Sequence, residues 1–262
     1  MIRFDVIGDI FSHWGDLIWA GIASTLILSL VGTFVGLLLG IPLAYGKMIK
    51  IKTYDSGIKR GIKWFLKGFC NIYSTILRGT PMMVQALIFK FGCQALGLNW
   101  GMITFPNEIL NVINGWLIAG LIVITFNTAA YMGEVIISGI NGVDAGQLEG
   151  AKALGISSRR ASLTIILPQA MRNSLPTIGN ELIINIKDSS VLNVIATTEL
   201  YYRMISIAST TYAFLEAYII LALIYLIMTM LTSFILKLVE KKLDGKKISL
   251  NPFGRLRRGY NG

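Results

Sequence analysis

Three stretches of this chain, residues 17–45, 116–138 and 212–239, stay apolar for longer than the roughly 20 residues a helix needs to cross a hydrocarbon layer. That feature constrains the fold more than any other. A hydrocarbon layer offers no water to pair with backbone N–H and C=O groups, so each stretch has to satisfy its own hydrogen bonds as a helix. Two further runs of suitable length, 62–96 and 169–196, are interrupted by polar residues. With 54% hydrophobic and 15% charged residues, a disordered chain is excluded. The sequence therefore predicts an all-α membrane protein with about five transmembrane helices.

Charge placement orients it. The net charge of +10 does not point to nucleic acid, because the cations lie between apolar runs and are not interleaved with aromatics. Residues 47–67 hold seven Lys or Arg, 152–172 hold four and 237–258 hold eight, whereas 97–115 hold none and 197–211 hold only Arg203. Cation-rich loops stay on the cytoplasmic side. Five spans then put the amino terminus outside and the carboxy terminus in the cytoplasm. The chain divides into an external segment 1–16, a membrane domain 17–240 and a basic cytoplasmic tail 241–262. Residues 1–16 carry Asp5, Asp9 and Asp16 against Arg3, the reverse of a signal peptide, so the first run is expected to be retained as a span.

The stretch 146–168, GQLEGAKALGISSRRASLTIILP, is too polar for the bilayer and falls on the cytoplasmic side by this count. Asp144 followed by Gln147 resembles a capping box, Gly155 supplies a stop, and Ser158 is placed to cap a short helix from Arg159. Pro168 marks the entry to the next element. Leu148, Ala151 and Leu154 share one face of the first helix, and Gly146, Gly150 and Ala153 form a nearly bare one. By its wheel alone this helix reads equally as a packed surface element or as a docking element.

Ionisable residues at membrane depth are costly and so are candidates for function. Arg78, Glu134, Glu181, Lys187 and Asp188 qualify, with Gln85, Asn127, Thr128 and Asn180 as uncharged companions. Lys187 and Asp188 equally allow pairing with each other, and Arg78 is better read as an inner-side pairing or capping residue. Pro176 and Gly179 suggest that the 169–196 run is a broken span. Gly32, Gly36 and Gly40 have the small-xxx-small spacing of close helix contacts, either within the chain or with a second subunit. Cys70 and Cys93 lack metal-site spacing and read as buried thiols, and His13 is the only histidine. No metal site and no catalytic residues are expected. No GxxxxGK[ST] occurs, so the chain has no ATP-binding loop of that type.

These residues also carry a resemblance. Glu149, Gly150, Ala151, Gly155, Ile165, Leu167 and Pro168 have the spacing of the EAA signature of membrane subunits of ABC importers. Arg78, Gly79, Thr80, Pro81 and Gln85 resemble the RGTP-xxx-Q signature of the polar amino-acid branch. Ala130, Tyr131, Glu134 and the downstream Gln169, Arg172, Asn180, Lys187, Asp188, Glu199 and Leu200 continue the likeness, which covers about residues 21–218. The chain departs from the pattern at Ile137, Asp144, Ala145 and Gly150. The resemblance implies a type I importer permease fold with a cytoplasmic coupling helix at about 144–158, between the third and fourth spans. It implies that Gly146, Gln147, Glu149, Gly150, Ala151 and Gly155 meet a separate ATPase subunit, which holds ATP and Mg while this chain holds no cofactor. It further implies a substrate path near Gln85, Glu134, Asn180, Glu181, Lys187 and Asp188, with Arg78, Gly79, Thr80, Pro81 and Pro168 structural. The implied partners are a second permease subunit, an extracytoplasmic binding protein, an amino-acid substrate and the bilayer of a bacterial inner membrane. The competing reading is a secondary transporter or channel subunit that uses the same charges to couple ions. A membrane enzyme would need a nucleophile and base that the chain does not pair.

Overall fold

The computed structural model describes residues 3–103 and 112–243; the tail beyond 243 and part of the 97–115 loop lie outside them. Among the described residues there are helices and their connections, and no strand. In chain order they are α1 (Phe4–Lys47), α2 (Gly57–Gly79), α3 (Met82–Ala95), α4 (Gly115–Asn141), α5 (Ala145–Ala153), α6 (Ser158–Ala161), α7 (Leu167–Asp188), α8 (Leu200–Thr211) and α9 (Phe214–Leu243). Three of them, α1, α4 and α9, are long and apolar enough to cross a membrane. The two polar-interrupted runs became α7 and the α2–α3 pair, which complete the bundle.

The first span is longer than its apolar core. α1 has 44 residues, about 66 Å at the usual helical rise, roughly twice the hydrocarbon thickness. Residues 4–16, set apart in the sequence by their acids, continue the same helix. Ile10 and Ile18 explain why: both are buried in one cluster with Met204 and Ile207 of α8 and Ala217 and Ile220 of α9. Arg3 adds a backbone N–H bond of 3.1 Å to Glu216 Oε1.

The glycine ladder of α1 faces α4. A Cβ at Gly32 would lie 2.9 Å from Ile124, one at Gly36 2.9 Å from Thr128, and one at Gly40 2.6 Å from Met132. Steps of four residues on α1 match steps of four on α4, so the two backbones close to a distance that only glycine permits. Of the two uses open for this stripe, internal packing is the one observed.

The second run breaks where its Gly79-Thr80-Pro81 sequence requires. Proline cannot donate to the preceding turn, so α2 ends at Gly79 and α3 starts after Pro81. The fourth run behaves differently from expectation. α7 passes through Pro176 without interruption, and the helix changes only after Asp188, into a 3₁₀ segment Ser189–Ile195 closed by Ala196 in the left-handed region (φ 65°). Pro176 lies on the exposed side of α7, where the carbonyl it leaves without a helical donor is not sealed in packed protein. The other side of α7 is held tightly, with a Cβ at Gly179 only 3.0 Å from Leu236 of α9.

Candidate functional site

The stretch 144–168 folds into a bracket at the end of the bundle. Asp144 caps α5, its Oδ1 accepting from Gly146 N at 2.7 Å. Gln147 does not complete a capping box; its Oε1 accepts from Gln169 Nε2 at 3.4 Å and ties α5 to the start of α7. Gly155 takes the left-handed conformation (φ 76°) that ends α5. Ser157, one residue before the expected cap, accepts from Arg160 N at 3.4 Å and starts α6. Residues Ser162–Ile166 form a π-turn that runs into α7, with Pro168 in its first turn.

The expected apolar face of α5 is divided. Ala151 is buried and holds the helix to the bundle, whereas Leu154 is 82% exposed. Gly146, Gln147, Glu149 and Gly150 are exposed as well. A Cβ at Gly150 would meet nothing within 4 Å. Among the described residues the Glu149 carboxylate has no ion-pair partner. α5 therefore presents one carboxylate beside the bare backbone of Gly150, with none of the described residues over it, whereas the Asp144 carboxylate lies against Gly146.

A second group of polar residues lies between α1, α2 and α4. Glu134 pairs with Lys47 and, at 2.9 Å, with Arg78, whose guanidinium also stacks over the Tyr131 ring at 5.6 Å. Gln85 spans the α2–α3 break. Its Nε2 donates to Leu77 O, Thr80 O and Thr80 Oγ1 at 2.8–2.9 Å, and its Oε1 accepts from Asn127 Nδ2 at 3.0 Å. These bonds take up carbonyls that Pro81 leaves free. Gly79 is open, with nothing within 4 Å of a Cβ placed on it.

The third group is the outward side of α7. Asn180, Lys187 and Asp188 are exposed and Glu181 is half-buried. Lys187 and Asp188 form no ion pair with each other. Of the residues singled out in the sequence, Glu134 and Gln85 have their polar atoms engaged, whereas Asn180, Lys187 and Asp188 are open.

Two buried hubs have roles that local sequence does not reveal. Glu199, fully buried, caps α8 by accepting from Tyr202 N at 2.8 Å and Tyr201 N at 3.0 Å, and also from Tyr225 Oη at 2.8 Å and Thr25 Oγ1 at 3.4 Å. It thereby joins α1, α8 and α9. Asn185 donates to Thr33 Oγ1 at 2.8 Å and contacts Thr128 Oγ1 at 3.0 Å, joining α1, α4 and α7. The usable signal for Glu199 was an acidic residue just before a helix start. Cys70 is buried as expected, but Cys93 is only partly so. Among the described residues no group of three or more His, Cys, Asp or Glu is placed to hold a metal ion.

The chain belongs to the family described as the binding-protein-dependent transport system inner membrane component, whose match covers residues 36–245. It is a multi-pass inner-membrane permease component, and in this family the ATPase is a separate subunit. The arginine transport system permease protein ArtQ of Bacillus subtilis (strain 168) is 35% identical over 224 residues, covering 85% of this chain and 90% of that one. The putative glutamine transport system permease protein GlnP of Rickettsia conorii (strain ATCC VR-613 / Malish 7) is 34% identical over 223 residues, covering 85% and 91%. A solved structure of an amino acid ABC transporter with histidines matches with a TM-score of 0.75 at 33% identity, over 92% of this chain and 99% of that one. The MetNI methionine ABC transporter in an inward-facing conformation matches at 16% identity with a TM-score of 0.59, a likeness of fold.

Proposed function

We propose that this chain is the membrane permease subunit of an ATP-driven amino-acid importer, forming half of the translocation path and coupled through α5 to a separate ATPase subunit. The observation that carries the reading is the surface of α5, where Glu149 stands exposed beside the open backbone of Gly150. A surface of small residues lets another chain approach closely, and a single carboxylate fixes its register by a charge-assisted bond. Gln147, Ala151 and Gly155 complete that surface, with Ala151 anchoring it from beneath.

The outward side of α7 contributes Asn180, Glu181, Lys187 and Asp188 to the substrate path, with Gln85 and Glu134 behind it. A zwitterionic amino acid needs a cation for its carboxylate and an acceptor for its ammonium, and Lys187 beside Asp188 offers both. Because this side is open in the single chain, a second permease subunit, identical or related, closes the path. An extracytoplasmic binding protein delivers the solute, and ATP and Mg belong to the ATPase. The cation-rich loops support an orientation with the amino terminus outside and α5 in the cytoplasm.

The test is uptake of labelled amino acids by proteoliposomes that contain this chain, its ATPase and its binding protein. Accumulation should require internal ATP and the binding protein. Accumulation driven by an ion gradient without ATP would favour a secondary transporter instead.

A further inference from the structure

An apolar cleft of about 670 Å³ lies between α1 and α2, lined by Leu39, Leu43, Ile49, Leu66 and Phe69 and closed at its inner wall by Phe126 of α4. It is not part of the α5 surface or of the open side of α7. Its size falls in the range of small-ligand sites, and its walls are almost wholly apolar. Several wall residues remain more than a third exposed, so the cleft opens to whatever surrounds the chain. It sits near one end of the bundle, where Gly46, next to the last residue of α1, packs on Cys70 of α2.

The rim is cationic. Residues 47–67 contain seven Lys or Arg against one acid, Asp55. Lys47 is held by Glu134 and Lys63 by Asp55 at 2.6 Å, and Lys63 beside it keeps the Asp55 carboxyl below the usual carboxylate range. The remaining five have no acidic partner among the described residues. Lys50 and Lys67 adjoin the cleft residues Ile49 and Leu66 in sequence, and Lys59 lies two turns from Leu66 on the same side of α2.

α2 itself is strongly amphipathic. Ile58, Ile62, Phe65, Phe69, Ile72 and Ile76 recur at helical spacing and all are exposed, as is Trp64. An exposed apolar stripe, Trp64 and a Lys-rich side in the first half of α2 describe a segment at the membrane interface, from which the second half enters the bundle. Topogenic charge alone explains the number of cations but not their placement around an apolar cleft.

We propose that this cleft seats an acyl chain of an anionic phospholipid from the leaflet on the Lys47 side, with the headgroup phosphate held by Lys50, Lys59 and Lys67. The occupant follows from complementarity. Apolar walls accept a hydrocarbon chain, and Lys50, Lys59 and Lys67 beside it favour a headgroup with net negative charge over a zwitterionic one. This site is independent of the amino-acid path and of the docking surface on α5.

Native mass spectrometry of the full-length chain, delipidated in detergent and then supplied with dioleoylphosphatidylglycerol or dioleoylphosphatidylcholine, tests it. Phosphatidylglycerol should be retained roughly tenfold more than phosphatidylcholine. The triple variant Lys50→Gln, Lys59→Gln, Lys67→Gln should bring the two to within about twofold while remaining monodisperse. Leu66→Trp, which fills the cleft, should lower retention of both lipids. Equal retention by the unmodified chain, or a preference unchanged in the triple variant, overturns the proposal. So does absence of any retained lipid together with a dimer joined at this cleft, which would make a second copy the occupant.

Discussion

The inner seam of the bundle and its outward surfaces treat polar residues in opposite ways. Along the seam, Glu199 has four donors and Asn185 bridges two threonines. On α5 and the outward side of α7, Glu149, Asn180, Lys187 and Asp188 are exposed and make no ion pair among the described residues. A polar group in packed protein is retained only when satisfied, because an unpaired one costs free energy. Polar groups at membrane depth on α7 need water or another molecule to satisfy them, whereas those on α5 are free to meet water or a partner. Under the proposed function, seam residues act as scaffold and open residues as contacts.

Substitutions can break that contrast. The largest effect is expected for Glu149→Arg, which should abolish ATP-dependent uptake and weaken co-purification of the ATPase. Its folded yield should change little, since surface changes usually fall within about 0.5 kcal/mol. Normal uptake by this variant would remove α5 from the coupling surface. Glu199→Ala comes next, because it strands Tyr225 Oη and two backbone N–H groups in the interior. A loss of about 3 kcal/mol is expected, read as a fall in melting temperature by size-exclusion fluorescence. Asn185→Leu, which orphans Thr33 and Thr128, should cost about 2 kcal/mol in the same assay. If either seam variant lost transport at full stability, the division of labour would be wrong.

Lys187→Ala should change transport several-fold and leave melting unaffected, the reverse of the seam pattern; transport indifferent to it would take Lys187 out of the substrate path. The smallest effect belongs to Gly150→Ala. The added methyl group meets open space within the chain, so alanine should raise helix stability by roughly 0.5–1 kcal/mol. Coupling should remain intact, since alanine is the residue the EAA pattern carries there. A loss of coupling in this variant would show that the partner needs bare backbone at residue 150.

Much of this architecture was legible because hydrocarbon imposes a strict rule on backbone and periodicity. The long apolar runs became α1, α4 and α9, and Thr80-Pro81 broke the second run where proline had to. What was not legible depended on tertiary partners. Ile10 extends α1 outward because α8 and α9 cover it, a contact far away in sequence. Pro176 was read as a break, yet packing of the other side of α7 carries the helix through. Gln147 matched a capping box by spacing, but Gln169 competes for its side chain. The hubs at Glu199 and Asn185 are built from residues more than a hundred positions apart, which local spacing does not reveal.

The distinction between seam and contact surface is tested most directly by site-specific photo-cross-linking in the assembled transporter. A photoreactive residue at position 150 should attach to the ATPase subunit, and one at position 180 should not. A cross-link from position 180 to the ATPase, or none from position 150, would contradict the assignment of α5 as the coupling element.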